Sequence, residues 1–201
     1  MAGGVRNLLW HRLVAVCMAC ALWAGLAQAA PKVEMQLERT AEGAFTNIAL
    51  QFELSEQIED ALNKGVAVYF VQEAEVIAER WYWRDRRAAK AARYLRLSFQ
   101  PLTRRWRLHL SSSPFAESGM AMSLGQSFDS LEEVMAVIKR VRHWKIADAA
   151  EIAGGSDYLV KFSFRLDMTQ LPRPFQIGPF GASGLNLQLN TQLPLPELET
   201  P

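Results

Sequence analysis

Apolar and polar residues alternate along much of this chain after residue 30, and this alternation limits the fold more than any other feature. From residue 158 to residue 168 apolar side chains occupy every second position, and Lys161, Ser163 and Arg165 lie between them. The same pattern occurs at residues 33–38, 48–54 and 185–190. A period of two places successive side chains on opposite faces of a β-strand. The sequence therefore predicts a protein built mainly from half-buried strands.

Short connections between these strands predict antiparallel pairing. Pro101 opens a Pro-Leu-Thr-Arg segment between two alternating runs, and its fixed φ suits a tight turn. Residues 154–157, Gly-Gly-Ser-Asp, are predicted to join a strand over residues 144–152 to the strand that starts at Tyr158, because glycine accepts the positive φ of such turns. Residues 66–83 are long for one strand. A bend or bulge is expected near residues 72–74, where the apolar face changes.

Two segments instead have helical periodicity. Ser55 is placed to cap a helix that ends at Gly65. Ser130 and Glu133 have the spacing of a capping box. Apolar residues recur at helical spacing behind this box: Leu131, Val134, Met135, Ile138 and Val141. The predicted fold class is therefore α+β, a mainly antiparallel β-sheet with two amphipathic helices packed on it, in a single domain that follows a cleaved signal peptide.

The first thirty residues have the order of a secretory signal peptide. Arg6, His11 and Arg12 form a positively charged start, an apolar run covers residues 13–26, and Ala27-Gln28-Ala29 supplies a small-x-small cleavage site. The run is shorter than the roughly 20 apolar residues that span a bilayer. We therefore expect cleavage between Ala29 and Ala30 and export to the periplasm. An uncleaved membrane anchor is the alternative.

Removal of this leader would leave a chain without cysteine, because both cysteines, Cys17 and Cys20, lie within it. Such a chain has no thiolate nucleophile, no thiolate metal site and no disulfide, so its stability depends on burial. A chain of about 170 residues buries close to 70% of its unfolded surface, so one domain suffices. The predicted organisation is a signal peptide at residues 1–29, one periplasmic domain at residues 30–193, and a flexible Pro-rich tail at residues 194–201.

A segment rich in arginine and aromatic residues is the sharpest candidate site. Residues 80–107 hold ten basic residues and one acidic residue, whereas residues 30–79 hold three basic and ten acidic residues. Arginine binds phosphate and carboxylate through paired N–H groups, and aromatic rings add contact area. The candidate residues for binding a partner or an anion are Arg80, Trp81, Tyr82, Trp83, Arg84, Arg86, Arg87 and Arg93. The alternative is a solvated hairpin whose tryptophans anchor the core and whose arginines pair with the acidic first third of the chain.

The sequence contains no motif of catalysis, cofactor binding or metal binding. His109 shares a predicted strand face with Arg105 and Arg107, which would repel a cation. His143 is expected to end the second helix, where a protonated imidazole suits the helix dipole. Asp167 is expected to bond the backbone that follows it. With no Gly-x-Ser-x-Gly elbow and no glycine-rich phosphate loop, the chain is predicted not to be an enzyme and to hold no cofactor.

Four ordered motifs resemble those of a known family. They are RWYWRD at residues 80–85, LSFQPLTRRW at 97–106, WKIAD at 144–148 and FRLDMTQLPRPF at 164–175. Over residues 34–193 the chain resembles a family of exported proteobacterial proteins catalogued as domain of unknown function family 4390. The resemblance implies a periplasmic protein of a Gram-negative bacterium and brings no catalytic residues. Because genes of the family often lie beside that of a sensor histidine kinase of the nitrogen-regulation type, it also implies a membrane sensor as a partner.

Export excludes nucleic acid as the partner of the basic segment. We expect a non-enzymatic accessory protein that binds another envelope protein, with a sensor histidine kinase as the partner that the resemblance implies. The alternative is a binding module for an anionic or amphipathic envelope molecule, such as the phosphates of a lipid or lipopolysaccharide. A ligand module predicts a concave apolar pocket beside the arginines, and a protein interface predicts a flat surface with exposed Trp or Tyr.

Overall fold

The structure of the chain is a computed structural model that describes residues 31–79, 86–115, 124–153, 157–167, 169 and 187–198. Within these residues the elements are β1 (Lys32–Thr40), β2 (Gly43–Gln51), α1 (Glu56–Asn63), β3 (Val68–Ala78), β4 (Arg86–Gln100), β5 (Arg105–Ser111), β6 (Leu124–Phe128), α2 (Leu131–Lys139), β7 (Arg140–Asp148), β8 (Tyr158–Leu166) and β9 (Gln188–Pro194). The predicted single domain, mainly antiparallel β with two helices, is confirmed. The expected cleavage site at Ala29 and Ala30 lies outside the described residues.

The described strands form two sheets. A small sheet has the strand order β1-β2-β7, and a large sheet has the order β6-β5-β4-β3-β8-β9. All neighbouring strands are antiparallel. β4 and β5 form the predicted hairpin, in which Gln100 stands opposite Arg105 across the turn. The hairpin predicted over residues 154–157 is wrong, because β7 pairs with β2 in the small sheet whereas β8 pairs with β3 in the large one.

Gly43 lies at the tightest point of the small sheet. It starts β2 opposite Thr40 and has a φ of +139°. A Cβ atom on this residue would lie 2.1 Å from the carbonyl oxygen of Ala147 in β7. A residue with a side chain therefore cannot occupy the place where the β1–β2 turn meets β7.

β3 lies inside the large sheet and runs without a break through residues 72–74. Phe70, Gln72, Ala74 and Val76 alternate on its buried inner face. The bulge expected at residues 72–74 is therefore wrong, and the register shift with β4 falls between Val76 and Ile77. The sequence pattern misleads here because a polar residue, Gln72, occupies a core position. Its side-chain amide donates to the carbonyl of Ile138, in the last turn of α2, at 3.1 Å.

One hydrophobic core joins both sheets and both helices. The Phe164 ring of β8 is fully buried, and its centroid lies 5.0 Å from that of Phe52 and 5.6 Å from that of Phe70. The helices add their buried residues to this core: Ile58 and Leu62 from α1, and Val134, Met135 and Ile138 from α2. The inner face of the large sheet thus lies against the core, and its opposite face, the outer face, carries the polar residues that alternate with it.

α2 begins with the predicted capping box. Ser130 Oγ accepts a hydrogen bond from the backbone N–H of Glu133 at 3.1 Å. The Glu133 carboxylate in turn accepts one from the backbone N–H of Asp129 at 3.2 Å. The helix ends at Lys139, so Val141, which the periodicity assigns to the helix, belongs to β7 instead. β7 follows the helix directly, and Val141 is buried there as an apolar residue at helical spacing. The helical periodicity of the sequence therefore continues past the end of the helix.

α1 lies between Ser55 and Gly65, as predicted. The Ser55 hydroxyl makes no capping hydrogen bond, and its carbonyl accepts one from the N–H of Ile58 at 2.9 Å. Gly65 follows the helix with a φ of +82°, in the left-handed region that glycine tolerates. The start of this helix is therefore held by backbone bonds.

The folded part of the chain extends past residue 193. β9 runs to Pro194, and Leu195 is buried with its N–H donating to Tyr158 O at 2.8 Å. The domain boundary predicted after residue 193 therefore falls inside the fold. The first two residues of the predicted tail, residues 194–201, belong to the domain.

Candidate functional site

The residues proposed as a binding segment lie on β4 and before it. Arg86 and Arg87 begin the strand and are exposed, and Arg93 lies in its middle. The remaining members lie outside the described residues: Arg80, Trp81, Tyr82, Trp83 and Arg84. β4 pairs with β3 from Arg86 to Leu97, so the side chains of β3 decide what the basic residues contact.

On the outer face of the large sheet, basic residues of β4 pair with glutamates of β3. Arg87 Nε lies 3.3 Å from Glu75 Oε1, and Lys90 Nζ lies 3.0 Å from Glu73 Oε2. Lys90 Nζ also lies 3.9 Å from Glu75 Oε1. We call Glu73, Glu75, Arg87 and Lys90 the charge ladder. The alternative interpretation of the basic segment, in which its arginines pair with the acidic first third of the chain, predicts this pairing.

An open cleft of about 440 Å³, lined mainly by polar residues, continues from the charge ladder across β8 and β9. Glu73 and Glu75 form one side of it, and residues 161–163 and 190–192 form the rest. Lys161 stands opposite Glu75 in the β3–β8 register, and Gln192 stands opposite Lys161 in the next pair. Charged, amide and hydroxyl groups thus line the cleft. Among the described residues of its lining, Phe162 is the one apolar residue, whereas a ligand module predicts a concave pocket with a mainly apolar lining beside the arginines.

Arg93 lies on the other face of the sheet from the charge ladder. It stands opposite Gln72, and its guanidinium carbon lies 5.7 Å from the centroid of the Trp144 ring in β7. Burial lowers the pKa of Arg93, because desolvation penalises the charged form. The contact joins the large sheet to the small sheet. The structure therefore separates Arg93 from Arg87, although both belong to the predicted set.

A second basic group, which the prediction did not include, lies on the outer face at β4 and β5. His109 stands opposite Arg96 and shares its strand face with Arg107. Burial, and then the positive charges of Arg96 and Arg107, lower the pKa of His109. Arg96 Nε donates to the Tyr69 hydroxyl at 3.1 Å. We call Arg96, Arg107 and His109 the basic patch. The predicted turn at residues 101–104 fixes the β4–β5 register. The position of His109 opposite Arg96 could therefore be predicted from the sequence.

His143 does not end a helix, contrary to the prediction, because α2 stops at Lys139. His143 lies in β7 with a positive φ of 46°, at the irregular part of the β2–β7 register. Its backbone N–H donates to Asn47 Oδ1 at 2.8 Å, and its ring stacks on that of Phe45 at 4.3 Å. These contacts give His143 a role in joining β7 to β2.

Asp167 holds the backbone that follows β8, as predicted. Its carboxylate accepts hydrogen bonds from the Thr169 backbone N–H at 3.1 Å and from the Thr169 hydroxyl at 2.6 Å. No group of three or more His, Cys, Asp or Glu side chains that could hold a metal ion occurs in the described part of the chain. Neither of the helices described above has the length and apolar character that a membrane crossing requires.

The fold and these surfaces define an α+β domain of two antiparallel sheets with a charge-paired outer face. The chain belongs to the family described as Domain of unknown function (DUF4390), whose model matches residues 27–193. This match confirms the resemblance carried by the four sequence motifs. No curated protein matches the chain, and no solved structure matches it.

Proposed function

We propose that this protein is an exported, non-enzymatic accessory that binds another protein of the cell envelope through the outer face of its large sheet. The charge ladder is the observation that carries the proposal. Arg87 and Lys90, which an anionic ligand would need, already contact Glu73 and Glu75. A phosphate would have to displace these carboxylates, whereas a protein surface can extend a row of mixed charges with complementary ones.

The chemistry of the cleft beside the ladder also suits a protein partner. Amide groups at Asn190 and Gln192 lie next to the charged residues of β3 and β8. Such groups form the polar part of many protein interfaces, where direct and water-mediated hydrogen bonds fix the register of the partner. The outer face therefore offers both charge and neutral hydrogen-bonding groups in adjacent rows.

Export and the identity of the partner complete the proposal. The basic start, the apolar run and the small residues that end at Ala29 support export to the periplasm and cleavage before Ala30. The family match begins at residue 27, close to this site. The family resemblance supports a sensor histidine kinase as the partner, which would meet the protein through its periplasmic part.

Photocross-linking in the cell tests this proposal. A photoreactive amino acid replaces Lys161, which is exposed on β8, and in a matched control it replaces Gln51, which is exposed on β2 of the small sheet. We expect one dominant protein adduct from position 161 and not from position 51. Adding Arg87→Glu and Lys90→Glu should abolish the adduct, because the ladder then carries four negative charges.

Three outcomes would contradict the proposal. Lipid or glycolipid adducts alone at position 161 would favour the anionic ligand. The same adduct from both positions would show that no particular face is recognised. Recovery of the protein in the cytoplasmic fraction would contradict export. Circular dichroism of the double charge-reversal variant checks that loss of the adduct does not come from unfolding.

The basic patch supports a second candidate function, the binding of an anionic envelope molecule such as a lipid phosphate. The pKa of His109 is lowered by burial and then by the positive charges of Arg96 and Arg107, and such positive charge attracts phosphate. Sedimentation with phosphatidylglycerol vesicles tests this function, with phosphatidylcholine vesicles as the control. Arg107→Gln should weaken binding more than Arg105→Gln, because Arg105 already pairs with Asp129 at 3.1 Å. Equal effects would contradict a site at the patch.

A further inference from the structure

The two helices border a second surface, a groove of about 560 Å³ between α1 and α2. Its apolar lining comes from Leu54, Leu131, Met135 and Ala136. α2 packs on the inner side of the large sheet, where Gln72 of β3 binds one of its last carbonyls. The groove is therefore on the other side of that sheet from the charge ladder. It is a separate surface from the one in the proposed function.

The groove carries negative charge that the described residues compensate only in part. Glu53, Glu59 and Glu132 line it and are exposed. Within the described part of the chain, none of these three carboxylates has an ion-pair or hydrogen-bond partner. Lys139 also lines the groove, with its ammonium 5.1 Å from the centroid of the Phe52 ring, so in the described lining one positive charge stands against three negative ones. The lining as a whole is thus acidic.

The lining also has the apolar character that a docking site requires. Leu54 and Leu131 are half-buried and Ala136 is exposed, so part of the hydrophobic lining faces solvent. Met135 also lines the groove, but it belongs to the core and exposes little of its side chain. An anion would be repelled by the glutamates, and an uncharged apolar ligand would desolvate them without compensation. A cation alone would leave the apolar lining unused.

We propose that the groove between α1 and α2 binds a cationic amphipathic helix of a partner protein. Apolar residues at spacings of three and four along that helix pack on the lining of the groove. Lysine or arginine residues beside them pair with the three glutamates and supply the charge that the groove lacks. This site would make the protein an adaptor with one partner on each side of the large sheet.

A model peptide tests this site directly. The probe is a fluorescein-labelled, 14-residue peptide of leucine and lysine at amphipathic helical spacing, titrated into the purified protein at low salt and followed by fluorescence anisotropy. A control peptide carries glutamate in place of lysine. We expect the lysine peptide to bind and the glutamate peptide to bind at least about tenfold more weakly, because like charges at an interface are costly.

Variants of the protein locate the bound peptide. Glu59→Lys should weaken binding by itself, and its combination with Glu132→Lys should weaken binding by about tenfold or more. Glu56→Lys is the matched control, because Glu56 and Glu59 are both exposed in the first turn of α1 but only Glu59 lines the groove. The two changes perturb the helix dipole alike. Ala136→Gln, at an exposed helical position, should also weaken binding because its longer side chain fills the groove.

Several results would overturn the proposal. Binding of both peptides with equal affinity would show that the rim charges do not select the ligand. An equal loss from Glu56→Lys and Glu59→Lys would show a response to net charge alone. Peptide affinity unchanged by Ala136→Gln would place the peptide elsewhere. Sedimentation equilibrium supplies the last case, since self-association that the groove variants abolish would assign the groove to a second copy of this chain.

Discussion

The charge ladder and the α1–α2 groove are both rich in glutamate, yet in the described part of the chain only the ladder has its carboxylates paired with basic side chains. Glu73 and Glu75 contact Arg87 and Lys90, whereas the three groove carboxylates have no such partner among the described residues. In an antiparallel sheet, residues on adjacent strands stand directly opposite each other, so the register can set opposite charges side by side. The groove is lined by residues of two helices and a connection, which no pairing rule aligns. Unpaired charge therefore remains at the helices and is available to a partner.

The largest expected effect would disrupt both regions at once. Phe164 packs between Phe52 and Phe70 in the core that supports the ladder and the groove. Phe164→Ala should lower the free energy of unfolding by about 3–5 kcal/mol through lost burial and a cavity. Urea unfolding followed by circular dichroism measures this change. Leu102→Ala is the control, because Leu102 is fully exposed in the β4–β5 turn. Two separate unfolding transitions would contradict a shared core.

The two faces of β4 should respond differently to loss of an arginine. Arg93→Ala removes a partly buried side chain and its contact with Trp144, and should cost about 1–2 kcal/mol of unfolding free energy. Arg87→Ala removes an exposed ion pair and should cost no more than about 0.5 kcal/mol. Urea unfolding of both variants provides the comparison. Equal costs would mean that the inner-face contact does not stabilise the packing of the two sheets.

Replacing single glutamates by glutamine compares a carboxylate that has ion-pair partners with one that has none among the described residues. Glu75→Gln should destabilise the protein by about 0.5–1 kcal/mol at low salt, because Arg87 and Lys90 lose their partner. This loss should shrink in about 1 M NaCl, where screening is strong. Glu53→Gln should change stability by less than about 0.5 kcal/mol at either salt concentration. A larger, salt-dependent loss for Glu53→Gln would show that its charge is compensated in the folded protein.

The smallest expected effect is a pH dependence at the basic patch. The folded-state pKa of His109 lies below its usual value of 6.5, so the unfolded chain takes up the proton first as the pH falls. His109 should therefore add its full stability above about pH 6.5 and lose it as the pH falls through the lowered pKa. Imidazole NMR titration measures the pKa directly, and Arg107→Gln should raise it. A titration midpoint above 6.5 would contradict the combined effect of burial and of the two arginines on His109.

Local structure could be predicted from this sequence to a large extent, because its signals lie within a few residues. The capping box at Ser130 and Glu133 and the turn at residues 101–104 both occur where the sequence places them. Alternation identifies the face of a strand but not its neighbour. For this reason the division into two sheets, and the pairing of β7 with β2, could not be predicted.

The candidate site shows the same limit at the level of single residues. Arg87 and Arg93 are six positions apart, so uninterrupted alternation places them on one face. The irregular register between Val76 and Ile77 of β3 shifts the facing residues of β4 by one and places the two arginines on opposite faces. The opposite charges of residues 30–79 and 80–107 predict, as the alternative, the pairing of arginines with glutamates that the charge ladder shows. The groove was not foreseen, because its lining comes from two helices whose packing the sequence does not specify.

The way in which α2 is attached has a consequence for any ligand of the groove. Two residues separate it from β6 of the large sheet, and none separates it from β7 of the small sheet. Since both ends are connected directly to strands, the helix cannot slide or tilt without disturbing the backbone hydrogen bonds of both sheets. The α2 side of the groove is thus preorganised, so the conformational entropy lost on binding comes mainly from the partner. Partners already helical before they arrive should therefore dissociate more slowly than those that must fold on the surface.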